Sequence, residues 1–457
     1  MVGAERHFRR AVELAGDLPL GTGRTDILRE AIFGFARVAG ALGHLDDGFA
    51  VAKLAADALA RDEGAGREDF AVDSALARLH YIRGDMSSAV ALGRRCLEGA
   101  GDTATTRRYR VLPANLVGRA LYVRGRYGEA AVALARGCQL AAAEDESMEL
   151  CHSLGMLGLS LGYTGVLDEA QAHVRRATAL AEELGDPVRR LAALCYAAIE
   201  ADYRHDWEQG IIRSAEALTF AQEHEIDGLY HCLSLVVAGR HQFHVGQLSR
   251  ARLLLEHAVE LARRQGLSIG VGWAHSFLGD IALVQGEYEQ AADSYEQGLA
   301  AGEQDEYTKA LNLVGRAHLR ALWHGDREQF DTDANRALAR LKAADNVATQ
   351  AHAQLRYADA LVALGDPDAA AQAREAAQAV FARLGIDPVG WWPIPPADFT
   401  SGSAREYWQW KATRQEEQEA SPARPTLALV RRVTQRINEE AQALRTLEPT
   451  PGGMKPA

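Results

Sequence analysis

The sequence predicts an all-α protein, a right-handed solenoid of about nine helical hairpins, and three recurrences predict it. A turn residue repeats at Gly43, Gly84, Gly125, Gly165, His205, Gly246, Gly286, Gly325 and Gly365, spaced 39 to 41 residues apart. Seven residues before it stands a small residue in eight of nine copies: Ala36, Ala77, Gly118, Gly158, Ala198, Gly239, Gly279 and Ala358, with His318 the exception. Twelve residues after it the residue is small in all nine: Ala55, Cys96, Gly137, Ala177, Ala217, Ala258, Gly298, Ala337 and Ala377. Two helices approach closely only where such notches remove side-chain bulk, so each unit reads as helix, tight turn, helix.

The turn is followed two places on by a large apolar residue in seven copies, Leu45, Met86, Tyr127, Leu167, Trp207, Leu248 and Tyr288. Small residue, Gly turn, Tyr or Leu, then another small residue resembles the tetratricopeptide repeat, and the match covers residues 1–385. That repeat has a period of about 34 residues, and the longer period here implies longer helices or linkers. Ala-rich phrases such as the one over 175–194 resemble the C-terminal repeats of multidomain bacterial regulators of the NTPase, cyclase or MalT type. The resemblance implies a binding or sensing scaffold in signalling.

In chain order, stepping one period back from Gly43 gives Gly3, with Ala15 at its small position. Residues 4–16 therefore read as the second helix of a hairpin, either a capping helix or the remainder of a longer, split protein. The first full hairpin has helices near 24–42 and 46–61, followed by a Gly-rich charged loop at 62–68. Gly101-Asp102, Glu144-Asp145, Gly185-Asp186-Pro187, Gly266, Asp305 and Asp345-Asn346 mark later boundaries, where Asp and Pro suit helix starts. The hairpin around Gly325 departs most, with His318 for a small residue, Arg327 at the large apolar position and Phe330 for Ala. A changed packing angle or a partner-dependent surface is expected there. Residues 386–425 read as a Trp- and Pro-rich cap with a short helix, 426–447 as an amphipathic helix, and 448–457 as a disordered tail. Docking on the solenoid end, self-association and an external partner are the three fates open to the apolar stripe from Val430 to Leu447.

A net charge of −12 argues against nonspecific nucleic-acid binding, which needs a basic face. No apolar run approaches the roughly 18 residues that cross a bilayer, and the start carries no apolar signal region, so a cytoplasmic protein is expected. Cys96, Cys138, Cys151, Cys195 and Cys232 fall inside helices without metal spacing and read as reduced core residues. The stretch from Gly21 to Thr25 lacks the Gly-Lys-Ser/Thr of a phosphate loop. Gly155, Gly158, Gly162 and Gly165 read as a packing face, and His231, His241 and His244 as polar helix-end residues rather than metal ligands. No catalytic constellation, cofactor site or metal site is expected.

The candidate site lies on the first helix of each hairpin. Six residues before the turn stand Arg37, Arg78, Arg119 and Arg240, and nearer the turn come Tyr81, Tyr122, Tyr163, Tyr203, Phe243 and Trp323, with Asn115 one helical turn from Arg119. Equivalent positions in stacked repeats form rows, and guanidinium forks beside aromatic rings suit carboxylates and extended peptides. Two readings stand: a groove for a protein or peptide partner, acidic where it meets the arginines, or aromatics filling space while the arginines pair with local Asp or Glu. The function expected is a non-enzymatic interaction scaffold, or alternatively the sensor arm of an NTPase- or cyclase-type regulator that binds a small ligand.

Overall fold

The structure is a computed structural model that describes residues 2–18, 23–42, 45–61, 69–100, 106–267, 269–301 and 305–386, with side chains at all of these except 2–5, 37–42, 107 and 108. The described residues form nineteen α-helices and no strand. Helix α1 spans Val2–Gly16, and nine hairpins follow. The first four are α2/α3 (Arg24–Leu42, Leu45–Leu59), α4/α5 (Phe70–Arg83, Met86–Gly99), α6/α7 (Arg107–Val123, Tyr127–Ala143) and α8/α9 (Ser147–Thr164, Leu167–Leu184). The next three are α10/α11 (Pro187–Tyr203, Trp207–Glu223), α12/α13 (Leu229–His244, Leu248–Gln265) and α14/α15 (Val271–Gln285, Tyr288–Ala301). The last two are α16/α17 (Glu306–His324, Arg327–Ala343) and α18/α19 (Val347–Ala363, Pro367–Leu384). The expected cap, amphipathic helix and tail lie outside the described residues from 387 on.

The turn residue recurs because it must be left-handed. Gly84 has φ 90°, Gly165 87° and Gly286 76°, and His205 adopts the same region at 56°. A β-carbon there is unfavourable, so glycine is the default and His205 is the anomaly. The connections between hairpins use the same conformation, with Asp145 at 55° and Asp345 at 52°. Asp186 accepts a hydrogen bond from the Arg189 amide at 2.8 Å and Asn346 from that of Thr349 at 3.2 Å, so both cap helices as their positions suggested.

The notches face what the spacing implied. A β-carbon added at Gly118 would lie 2.5 Å from Leu134, at Gly158 2.6 Å from Val174, at Gly239 2.7 Å from Leu255 and at Gly279 2.5 Å from Tyr295. Each of these is nine residues past its own turn, so the first notch seats one side chain of its own second helix. The later notch admits the neighbouring first helix: at Gly298 an added carbon would collide with Asn312, whose amide donates to the Gly272 carbonyl at 3.1 Å. Cys151 and Cys232 donate thiol hydrogen bonds to the carbonyls of Ala177 and Ala258, the small residues of that later notch, at 3.4 Å each. Burial pushes both thiols up to about 11.

The departures around Gly325 are absorbed internally. His318 is buried, Phe330 is buried edge-on against Tyr357 at 5.6 Å, and Arg327 pairs with Asp331 and Asp366 at 2.9 and 3.0 Å. No helix among the described residues is long and apolar enough to cross a membrane. The chain forms two compact units. The first comprises Met1–Tyr196, Glu303–Tyr307 and Ala339–Gln350; the second comprises Ala197–Gly302, Thr308–Leu338 and the described residues after 350.

Candidate ligand-binding face

In the first unit the arginine row becomes a polar cluster carried by four successive first helices. Arg78 and Tyr81 come from α4, Asn115, Arg119 and Tyr122 from α6, Glu149, His152 and Tyr163 from α8, and Arg189 and Tyr196 from α10. Spacings of three, four, seven and eleven, all near whole helical turns, place each set on one helix face. Arg119 Nη2 donates to Glu149 Oε2 at 2.6 Å and Asn115 Nδ2 to the same oxygen at 3.3 Å, while the Tyr196 hydroxyl bonds His152 Nδ1 at 3.1 Å. Asn115 and Arg119 are buried, whereas Arg78, Tyr81, Glu149 and Arg189 are only half-buried, so the cluster is open on one side.

Its arginines govern its titration. Burial raises the Glu149 carboxyl, but Arg119, Arg78 and Arg189 outweigh it and hold the group below its ordinary value. Burial and the same three arginines drive His152 well below its usual value and keep it neutral. Burial raises the Tyr81 hydroxyl against the opposing pull of Arg119 and Arg78. Arg119 thus pairs with Glu149 directly, while Arg78 and Arg189 act on the same carboxylate through space. Beside them, of the predicted row, Tyr122 and Tyr163 lie 5.9 Å apart; from outside it, Tyr127 stacks on Tyr163 at 4.3 Å and Tyr307 closes the group at 5.0 Å from Tyr163. Burial raises Tyr122 far above the ordinary phenol value.

In the second unit the same rows are filled by the chain itself. Arg240 pairs with Asp202 at 2.9 Å, its guanidinium lies 5.6 Å from the Phe277 ring, and Phe243 packs on Phe277 at 6.0 Å. Tyr203 is buried. Arg356 pairs with Asp280 at 2.9 Å, and the Tyr295 hydroxyl donates to Asp280 at 2.7 Å. The expectation of polar helix-end histidines is corrected here for two residues: His241 is 0% and His244 3% exposed. His241 Nε2 meets Asp202 at 2.6 Å and His244 stacks on Trp207 at 4.2 Å, because this end of α12 packs against α10 and α11 instead of facing water. Among the described residues no group of three or more His, Cys, Asp or Glu could hold a metal ion.

The anomalous His205 has its own role. Its Nε2 lies 2.8 Å from Nε2 of buried His352, its ring stacks on Trp207 at 5.1 Å, and Phe381 stands edge-on at 5.7 Å. One ring must donate and the other accept, so the pair holds only while at least one is neutral. Sequence reasoning missed Glu149, His152, Arg189, His205, His352 and Arg356. A signal existed for all but His205: Glu149 and Arg189 stand sixteen residues before their turn residues, His152 and His352 thirteen and Arg356 nine, continuing the arginine row backwards along their helices at helical spacing. The Arg37 side chain lies outside the described residues.

No protein-family model matches the chain, and no curated protein matches it. Solved structures do. A Rap protein complexed with Competence and Sporulation Factor superposes with a TM-score of 0.63 at 12% identity, covering 78% of this chain and 98% of that one. The apo form of the quorum sensor NprR from B. thuringiensis gives 0.51 at 12% identity over 77% and 98%. The chain is a tetratricopeptide-like α-solenoid. In such a solenoid the first helices form the row that carries the cluster around Glu149, and at this identity the likeness speaks to the fold alone.

Proposed function

We infer that the protein is a non-enzymatic binding scaffold in signalling or regulation, working in the cytoplasm, whose first-helix face around Glu149 takes an acidic peptide or helix of a partner. One observation carries this reading: Arg78, Arg119 and Arg189 gather on a half-open face bordered by tyrosines and together hold the Glu149 carboxyl below its ordinary value. A ligand carboxylate would meet guanidinium forks in partly desolvated surroundings, where charge-assisted hydrogen bonds are strongest. The arginines also stand against a net charge of −12 and would steer an anionic segment to this face. The Rap protein solved with Competence and Sporulation Factor, and the quorum sensor NprR, offer precedent for this fold as a receptor.

The test is a selection of random displayed peptides on the full chain, followed by titration of the winners. Winners should carry Asp, Glu or a free C-terminal carboxylate, and Arg78→Ala with Arg189→Ala should weaken them at least about tenfold, ~1.4 kcal/mol. Arg119 stays in place because its loss would strand Glu149. Winners without acidic groups, or equal binding by the double variant, would sink the reading. A second reading, the sensor arm of an NTPase- or cyclase-type regulator taking a small ligand, is favoured by a cavity at the Gly125 turn.

A further inference from the structure

That cavity, of about 640 Å³, lies in the first unit where the left-handed turn at Gly125 approaches the start of α16 and the end of α17. Its polar lining is Ser87, Arg124, Arg126, Arg340 and Glu306. The approach is close: a β-carbon on Gly125 would stand 3.3 Å from that of Glu306 and 3.6 Å from that of Ala344. Only a bare turn leaves the space open.

Three guanidiniums and one carboxylate line the cavity. Arg340 Nε is 2.9 Å from Glu306 Oε2, and Arg126 pairs with Glu129. Arg124 is half-buried, and its side chain makes no hydrogen bond or ion pair among the described residues. Its guanidinium is therefore uncommitted within the described residues and available to an arriving anion. The Ser87 hydroxyl adds a donor, while the N-terminus of α5 is already capped by Asp85 through the Ser88 amide at 3.1 Å and is not counted. Ala343 and Ala344 give the remaining wall a smooth apolar surface.

We propose that this cavity is a binding site for a phosphorylated small molecule, its phosphate held by Arg124 with Arg126 and Arg340 and its body lying on the alanine wall. Several guanidinium forks call for more acceptor oxygens than a carboxylate has, and phosphate supplies them. The volume falls in the range of small-ligand pockets, roughly 300 to 1,000 Å³. The site is separate from the face around Glu149, and either could exist without the other.

Pyrophosphate is the probe, titrated calorimetrically into the full chain at fixed ionic strength with sodium chloride as the control. Saturable binding is expected, weakened at least tenfold by Arg124→Gln, which removes no internal partner and so leaves the fold intact. Exposed Arg136→Gln should leave the affinity unchanged, as should Arg78→Ala with Arg189→Ala, which separates this proposal from the peptide reading. Absence of saturable binding, or equal weakening by Arg136→Gln and Arg124→Gln, would overturn it.

Discussion

Arg119 and Arg240 occupy the same repeat position in different units, and their surroundings diverge. Arg119 pairs with Glu149 on a half-open face, where Arg78 and Arg189 also act on that carboxylate through space. Around Arg240 the carboxylate of Asp202 is engaged by both Arg240 and His241 and is shut from water. A repeat position decides where on the helix a charge stands, while residues from other helices decide whether it is spent internally or left to receive a ligand.

The sharpest break between the two would come from Arg356→Ala. It strands Asp280, already raised by burial despite Arg356, and should cost roughly 3 to 5 kcal/mol in denaturant unfolding. A loss below about 1 kcal/mol would mean that the second unit is not held by its internal pairs. Where the units are built alike they should respond alike. Gly118→Ala and Gly279→Ala press on Leu134 and Tyr295 from the same 2.5 Å, and each should cost about 1 to 3 kcal/mol. Unequal losses would show that one notch can relax.

Acid should act on both units through buried neutral histidines. Burial lowers His152, His318 and His352 well below 6.5, so as pH falls through 6.5 the unfolded chain takes up protons that the folded chain refuses. Stability then falls by up to about 1.4 kcal/mol per pH unit for each such group. Two carboxylates raised by burial oppose this: Asp359, at about 6, and Asp280 bind protons in the folded state first. Three histidines against two carboxylates leave a net loss on acidification that sets in around pH 6.5 and steepens below it as the unfolded histidines charge, with Asp359 offsetting at most one proton of it around pH 6. Thermal melts across pH should show it, and His352→Gln should flatten the slope by up to one proton. A flat profile would place those rings in water. The smallest effect is expected of Arg78→Ala, which removes a half-buried arginine at the edge of the cluster and should change stability by less than about 1 kcal/mol while weakening acidic peptides.

The scaffold was legible because its causes are steric and local. Left-handed turns need glycine, notches need small residues, and both recur at a period that any register reveals. The rows of Arg78, Arg119 and Arg240 were legible for the same reason. Their counter-ions were not, since Asp202 meets Arg240 from another hairpin and Asp280 meets Arg356 from two hairpins away, and no local spacing encodes those meetings. His205 is intermediate: its misfit at a glycine position was plain in the sequence, but His352, 147 residues on, was not.

That distant pairing bears on how the second unit folds. Stacked repeats interact with nearest neighbours, so a pure array can fray from its ends one hairpin at a time and fold quickly from local contacts. A bond from the turn of α10/α11 to α18, reinforced by Phe381 from α19, makes the fifth hairpin depend on the ninth. The unit should then open as a single block, with hydrogen-exchange protection in α10 and α11 lost together with that of α18 and α19, and its refolding should be slowed by a loop closure that a simple stack never has to make.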